Sequence, residues 1–156
     1  MSKSKTIPAG FHTLTPYLSV TDANAAIKFY QKVFGAEEVG RITMGGGTVG
    51  HAELQIGNSK LMLAQEMPDW GNKSPQTLGG SPVTIALYVA DVDATYQRAL
   101  DAGAKVIEAV KDQFYGDRAG SLTDPFGHKW HISTHIEDVS FDEMQRRCDA
   151  MMATSH

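Results

Sequence analysis

Cysteine is nearly absent from this chain of 156 residues: Cys148 stands alone, so no internal disulfide can form. It falls inside a helical pattern with no candidate base beside it, and reads as a structural side chain. Long apolar runs are missing as well. No stretch approaches the roughly 20 residues that a membrane-spanning helix needs, and the opening MSKSKTIPAG is polar, without the apolar core of a secretory signal. A surplus of positive charge is also lacking. The 14 Lys and Arg and the 18 Asp and Glu are interspersed and give a formal charge of -4, which leaves no basic stripe for nucleic acid and no polybasic anchor for a membrane. The expectation is a cytoplasmic protein with no nucleic-acid partner and no membrane partner.

What is present suffices for a folded core. A hydrophobic share of 42% and a charged share of 21% are ordinary for a globular chain, and the length fits one domain or two small halves. After an N-terminal arm broken by Pro8 and Gly10, residues 15–20 (TPYLSV) alternate in period two and predict a strand. Asp22 stands as an N-cap, and Ala25, Ala26, Phe29, Tyr30, Val33 and Phe34 recur at helical spacing until Gly35. Strands over 38–44 and 48–56 flank Gly45-Gly46-Gly47, and a fourth covers 60–64. The order is βαβββ.

The order then repeats. Residues 84–89 (TIALYV) repeat the alternation, with Thr84 standing where Thr15 stood, Leu87 for Leu18, Val89 for Val20 and Asp91 for Asp22. A helix to about Ala102 and strands near 105–110, 118–123 and 129–134 complete the second copy. Agreement in both residue identity and element order indicates internal duplication. The expected organisation is an arm over 1–12, a first module over 13–64, a connector over 65–82, a second module over 83–135 and a C-terminal helix within 136–156. The connector, QEMPDWGNKSPQTLGGSP, breaks all periodicity and predicts a functional loop or a linker. Ser140 and Glu143 form a capping box for the last helix. Its stripe of Phe141, Met144, Cys148 and Met151 predicts packing on a sheet or on a second subunit.

Two βαβββ copies, each with an Asp-capped helix, and Asp124-Pro125-Phe126-Gly127 before the last strand resemble the vicinal oxygen chelate superfamily, which includes glyoxalase I, extradiol dioxygenases and the fosfomycin and bleomycin resistance proteins. TPYLSV, GHAEL and YGDRAGSLTDPFGHKWHISTH together look like its PhnB-like branch. The resemblance implies an α+β fold in which two βαβββ modules form a curved mixed sheet around a cavity, with helices on the outer face. Leu18, Val20, Leu61, Leu63, Ile85, Leu87, Val89, Trp130, Ile132 and Pro16 should then face the helices. The complementary set faces the cavity, and from it Tyr17, Gln55, Tyr88 and Lys129 are candidate substrate contacts.

The resemblance also implies metal ligands on the first and last strand of each module, which here are Thr15, Met62, Thr84 and His131. Only His131 is an ordinary transition-metal ligand, and one imidazole does not hold Zn²⁺. The reading without a metal is preferred; the alternative is a rebuilt divalent site from His51, Glu53 and His131. Without a metal, His131, or His51 paired with Glu53, is the candidate general base or binding group. Arg118 could present its fork to a carboxylate or phosphonate, or be neutralised by Asp117 or Asp124. Asp124 to Gly127 reads as a turn, His128 as a turn-edge residue, and Trp70 as a lid over the cavity, a contact in a dimer or part of an ordinary surface cluster.

Three readings of function stand. One is a glyoxalase-like protein binding a small oxygenated molecule without glyoxalase I chemistry. Another is a lyase, isomerase or dioxygenase with the rebuilt metal site. The last is a non-catalytic drug-binding protein of the bleomycin-resistance kind. The resemblance further implies a homodimer.

Overall fold

The computed structural model describes residues 3–155; residues 1 and 2 of the expected arm, and residue 156, lie outside it. The chain forms β1 (Tyr17–Val20), α1 (Ala23–Phe34), β2 (Glu37–Thr43), β3 (Val49–Ile56), β4 (Ser59–Gln65), the single turn α2 (Pro75–Leu78), β5 (Thr84–Tyr88), α3 (Val92–Asp101), β6 (Lys105–Asp112), β7 (Asp117–Thr123), β8 (Lys129–His135) and α4 (Phe141–Ala153). The fold is α+β. It contains two four-stranded mixed sheets, ordered β1-β4-β3-β2 and β5-β8-β7-β6. In each, the first strand runs parallel to the last while the inner pairs are antiparallel.

Two compact units follow from this. The first runs to Pro82 and also includes Pro125–His128; the second comprises Val83–Asp124 and the chain from Lys129 on.

In the first unit the Asp22 carboxylate accepts from the Ala25 amide at 3.0 Å, satisfying a free donor at the start of α1, and Gly35 closes the helix in the left-handed region at φ 66°. Ala23, Ala26, Ile27, Phe29, Tyr30 and Val33 recur on the buried side of that helix. Against them lie Leu18 and Val20 of β1, Ala52 and Leu54 of β3, and Leu61 and Leu63 of β4, all buried. Burial of each larger apolar side chain in this set is worth about 1.5–3 kcal/mol. Phe126 joins the same core, meeting Phe29 edge-on at 6.0 Å and Tyr30 at 6.3 Å. Beside it the His128 Nε2 donates to the Ser19 carbonyl at 2.9 Å and the Gln76 amide donates to the Pro125 carbonyl at 3.1 Å. The turn over 124–127 thus supplies core and latch residues to the first unit.

The second unit repeats the device. Asp91 caps α3 through the Ala94 amide at 3.1 Å, and Val92, Thr95, Tyr96 and Ala99 are buried. Trp130 and Ile132 of β8 and Leu122 of β7 are buried with them, while Ile85 and Leu87 are half-buried. The Trp130 indole N–H donates to the buried Asp124 carboxylate at 2.9 Å.

Three expectations are modified. Pro16 lies exposed one residue before β1 rather than on the helix-facing side. The connector is ordered around one carboxylate: Glu66 accepts from the Ser74 amide at 2.7 Å and from the Thr77 hydroxyl at 2.8 Å, which fixes the start of α2. These donors hold the Glu66 carboxyl below its usual range. The third concerns α4, whose apolar stripe buries no residue; Met144 and Cys148 are half-buried and Phe141 is exposed. That helix is tied instead by Arg147, which donates to the Phe114 carbonyl at 3.1 Å and to both Glu137 oxygens at 2.8 and 3.0 Å. No helix among the described residues is long and apolar enough to cross a membrane.

Candidate functional site

Period-two alternation leaves one face of each sheet turned away from its helices, and most of the candidate side chains sit there; Arg118 and Trp70 do not. In the first unit, Tyr17 pairs with Met62 across β1 and β4, and Met62 pairs with Glu53 across β4 and β3, so these residues form one row. His51 lies two residues before Glu53 and therefore shares its face. The Tyr17 hydroxyl is 2.8 Å from His51 Nδ1, and His51 Nε2 is 3.3 Å from Glu53 Oε1. A carboxylate only accepts, so Glu53 assigns the imidazole proton to Nε2. Nδ1 is then the acceptor and Tyr17 the donor. Tyr17 is 51% exposed, yet partial burial pushes the pKa of its phenol up, so it carries its proton through neutral pH.

Gln55, the next residue on this face, donates to the Gly57 carbonyl at 2.8 Å and so serves the β3–β4 turn. Trp70 ends a 3₁₀ turn over Pro68–Trp70 and is 76% exposed.

In the second unit, Ser121 of β7 pairs directly with His131 of β8. His131 stands between two hydroxyls, with Ser121 Oγ 2.8 Å from Nδ1 and Tyr115 Oη 2.9 Å from Nε2. Both ring nitrogens are engaged. Burial, then the charge of Asp117, raises the Tyr115 phenol.

A second network shares that face. Asp117, only 5% exposed, accepts from the Tyr88 hydroxyl at 2.9 Å and holds His135 Nδ1 at 2.7 Å, while His135 Nε2 meets Asp138 at 2.7 Å. Hydrogen bonding to Asp117 raises the Tyr88 phenol, and hydrogen bonds to Asp138 and Asp117 raise the His135 imidazole.

Arg118 alternates onto the opposite face. Its guanidinium takes both oxygens of Asp93 on α3 at 2.8 Å and Asp112 at 3.1 Å, which holds it protonated. The partners expected from sequence, Asp117 and Asp124, are committed elsewhere. Lys129 is half-buried at the start of β8, between Thr84 and Thr123 in the ladder.

Sequence reasoning placed His51, Glu53 and Tyr17 on one face and paired His51 with Glu53, but missed the contact of Tyr17 with His51. It missed Tyr115 as the partner of His131, and the chain from Tyr88 through Asp117 to His135, altogether. The signal was the β7–β8 register: with Ser121 opposite His131, Asp117 must stand opposite His135.

The donor set does not fit the metal implied by the family pattern. Thr15 precedes β1, Met62 offers only a thioether and Thr84 only a hydroxyl, and both nitrogens of His131 are already engaged. Among the described residues no three His, Cys, Asp or Glu side chains gather so as to hold a metal ion.

The family described as Glyoxalase/Bleomycin resistance protein/Dioxygenase superfamily matches residues 10–132, and the chain belongs to it. An uncharacterized protein of Mycobacterium bovis is 49% identical over 135 residues, which cover 85% of this chain and 89% of that one. TioX from Micromonospora sp. ML1 is similar in structure, with a TM-score of 0.61 and 26% identity, covering 80% of this chain and 99% of that one. The PhnB protein of Bacillus cereus, described as a putative 3-demethylubiquinone-9 3-methyltransferase, shares the fold, with a TM-score of 0.61 and 16% identity, covering 79% of this chain and 99% of that one.

Proposed function

We propose that this chain is a glyoxalase-like protein of the PhnB-like kind that binds a small oxygenated molecule on the polar, helix-averted faces of its sheets, without glyoxalase I chemistry. The observation that carries this reading is the state of His131: an imidazole whose two nitrogens face the Tyr115 and Ser121 hydroxyls is arranged for hydrogen bonding rather than metal coordination. Hydroxyls and imidazoles on these faces both donate and accept, which suits carbonyl, hydroxyl and carboxylate oxygens. Tyr17 and Tyr88 add exposed aromatic surface. A glyoxalase I assay with added Ni²⁺ or Zn²⁺ tests the proposal; the expected result is no turnover above the metal-only blank, and clear turnover overturns it.

The drug-sequestering reading draws on the exposure of Trp70, which leaves its indole available to stack on a ligand ring. Quenching of tryptophan fluorescence by bleomycin, lost in Trp70→Phe, would support it. We further infer a cytoplasmic homodimer that uses the exposed Phe141, Met151 and Met152 of α4; a monomer in sedimentation at micromolar concentration overturns that assignment.

A further inference from the structure

We propose that Tyr17 is the catalytic residue of a metal-free proton relay, in which its phenol takes a proton from a ligand hydroxyl and passes its own to His51, positioned by Glu53. The inference deepens the proposed function, because it assumes that a hydroxyl-bearing small molecule occupies the face of the first sheet.

The geometry is directional. Glu53 accepts from His51 Nε2–H, which leaves Nδ1 with its lone pair turned to the Tyr17 hydroxyl at 2.8 Å. With its proton committed to Nδ1, the phenol oxygen presents its remaining lone pairs outward, and half of the Tyr17 surface is exposed to receive a ligand. All three residues stand on strands, β1 and β3, so the chain of donors is held by sheet register rather than by a loop.

The step balances. The ligand O–H breaks as its proton moves to Tyr17 Oη, the Tyr17 O–H breaks as its proton moves to His51 Nδ1, and the resulting imidazolium is compensated by the Glu53 carboxylate. The ligand becomes an alkoxide or enolate, and nothing is oxidised or reduced.

The second unit shows what the relay requires. Tyr115 also meets an imidazole, at 2.9 Å, but the far nitrogen of His131 faces the neutral hydroxyl of Ser121 instead of a carboxylate. Tyr88 donates straight to Asp117 with no imidazole between. Only the Tyr17 arrangement, among these tyrosines, joins phenol, base and carboxylate in sequence.

The relay is tested with p-nitrophenyl acetate, which needs no knowledge of the natural ligand. Tyr17 Oη attacks the ester carbonyl, its proton goes to His51 Nδ1, and p-nitrophenolate leaves as the acetyl–oxygen bond to it breaks. Peptide mass spectrometry of the full chain should find acetyl on Tyr17 well before Tyr88, although Tyr88 is also exposed. The rate should already be level well below the pH at which a phenol ionises. His51→Gln should slow Tyr17 labelling on the order of 10–100-fold, Glu53→Gln should slow it less, and Tyr17→Phe should remove the label. Near-ultraviolet circular dichroism checks that each variant is folded. Labelling of Tyr17 no faster than Tyr88, labelling unchanged in folded His51→Gln, or acetyl found on His51 overturns the relay. Glyoxalase I turnover with added metal would instead overturn the metal-free binding reading, so the two failures are distinguishable.

Discussion

Asp117 holds the Nδ1 of His135 at 2.7 Å directly across the β7–β8 ladder, and Asp138 holds the other ring nitrogen at the same distance. An imidazole between two carboxylates favours its charged form, and its pKa is raised, first by Asp138 and then by Asp117. The folded protein therefore keeps His135 protonated to a higher pH than the unfolded chain does. The stability this contributes is complete below the unfolded value of about 6.5 and is lost as pH rises through the higher folded value. The gap in urea midpoint between the native protein and His135→Gln should shrink steadily between about pH 6 and pH 9. A gap that widens over that range contradicts the assignment.

The pair of Trp130 and Asp124 predicts a stability loss without a site effect. Trp130→Phe keeps most of the apolar volume but removes the indole donor from a buried carboxylate, and should cost roughly 1–3 kcal/mol in urea unfolding. Acetylation of Tyr17 should be unchanged once the variant is folded. Retention of full stability would show that the bond at 2.9 Å contributes nothing net.

Gly116 turns the chain into β7 at φ 97°, and its carbonyl accepts from both the Ile136 and Glu137 amides at 2.9 Å. A β-carbon there would meet the Glu137 carbonyl oxygen at 2.2 Å. Gly116→Ala should lower stability by roughly 1–3 kcal/mol through backbone strain alone, with more from the collision. Hydrogen exchange should show the loss first in the segment leading to α4.

Arg118→Gln separates the structural role of this arginine from the substrate role that its sequence context suggests. Loss of the fork to Asp93 should lower the melting temperature more at low salt than at high salt. It should leave Tyr17 acetylation unaltered. A variant with native stability but impaired ligand binding would restore Arg118 to the site.

Much of this architecture was legible because it depends on period. The Asp22 and Asp91 caps, the alternating strands and the duplicated order all follow from local pattern, and Leu18, Val20, Leu61, Leu63, Trp130 and Ile132 are buried as alternation requires. What was not legible depends on partners distant in sequence. Arg118 has carboxylates at 112, 117 and 124 nearby, but the one that takes its fork is Asp93, 25 residues away on α3. The connector is patternless in sequence because its order comes from Glu66, Ser74 and Thr77 acting together. Tyr115 resembles an ordinary turn aromatic until the fold brings it 16 residues along the chain to His131.

Assignment of Pro125–His128 to the first unit bears on how the protein is made. Domains tend to fold in order as the ribosome releases them, yet this N-terminal unit lacks Phe126 against Phe29 and His128 against Ser19 until most of the chain has been synthesised. A fragment ending at Pro82 should therefore be an incomplete folding unit, and a gene divided at the connector should yield two halves that become soluble only when produced together.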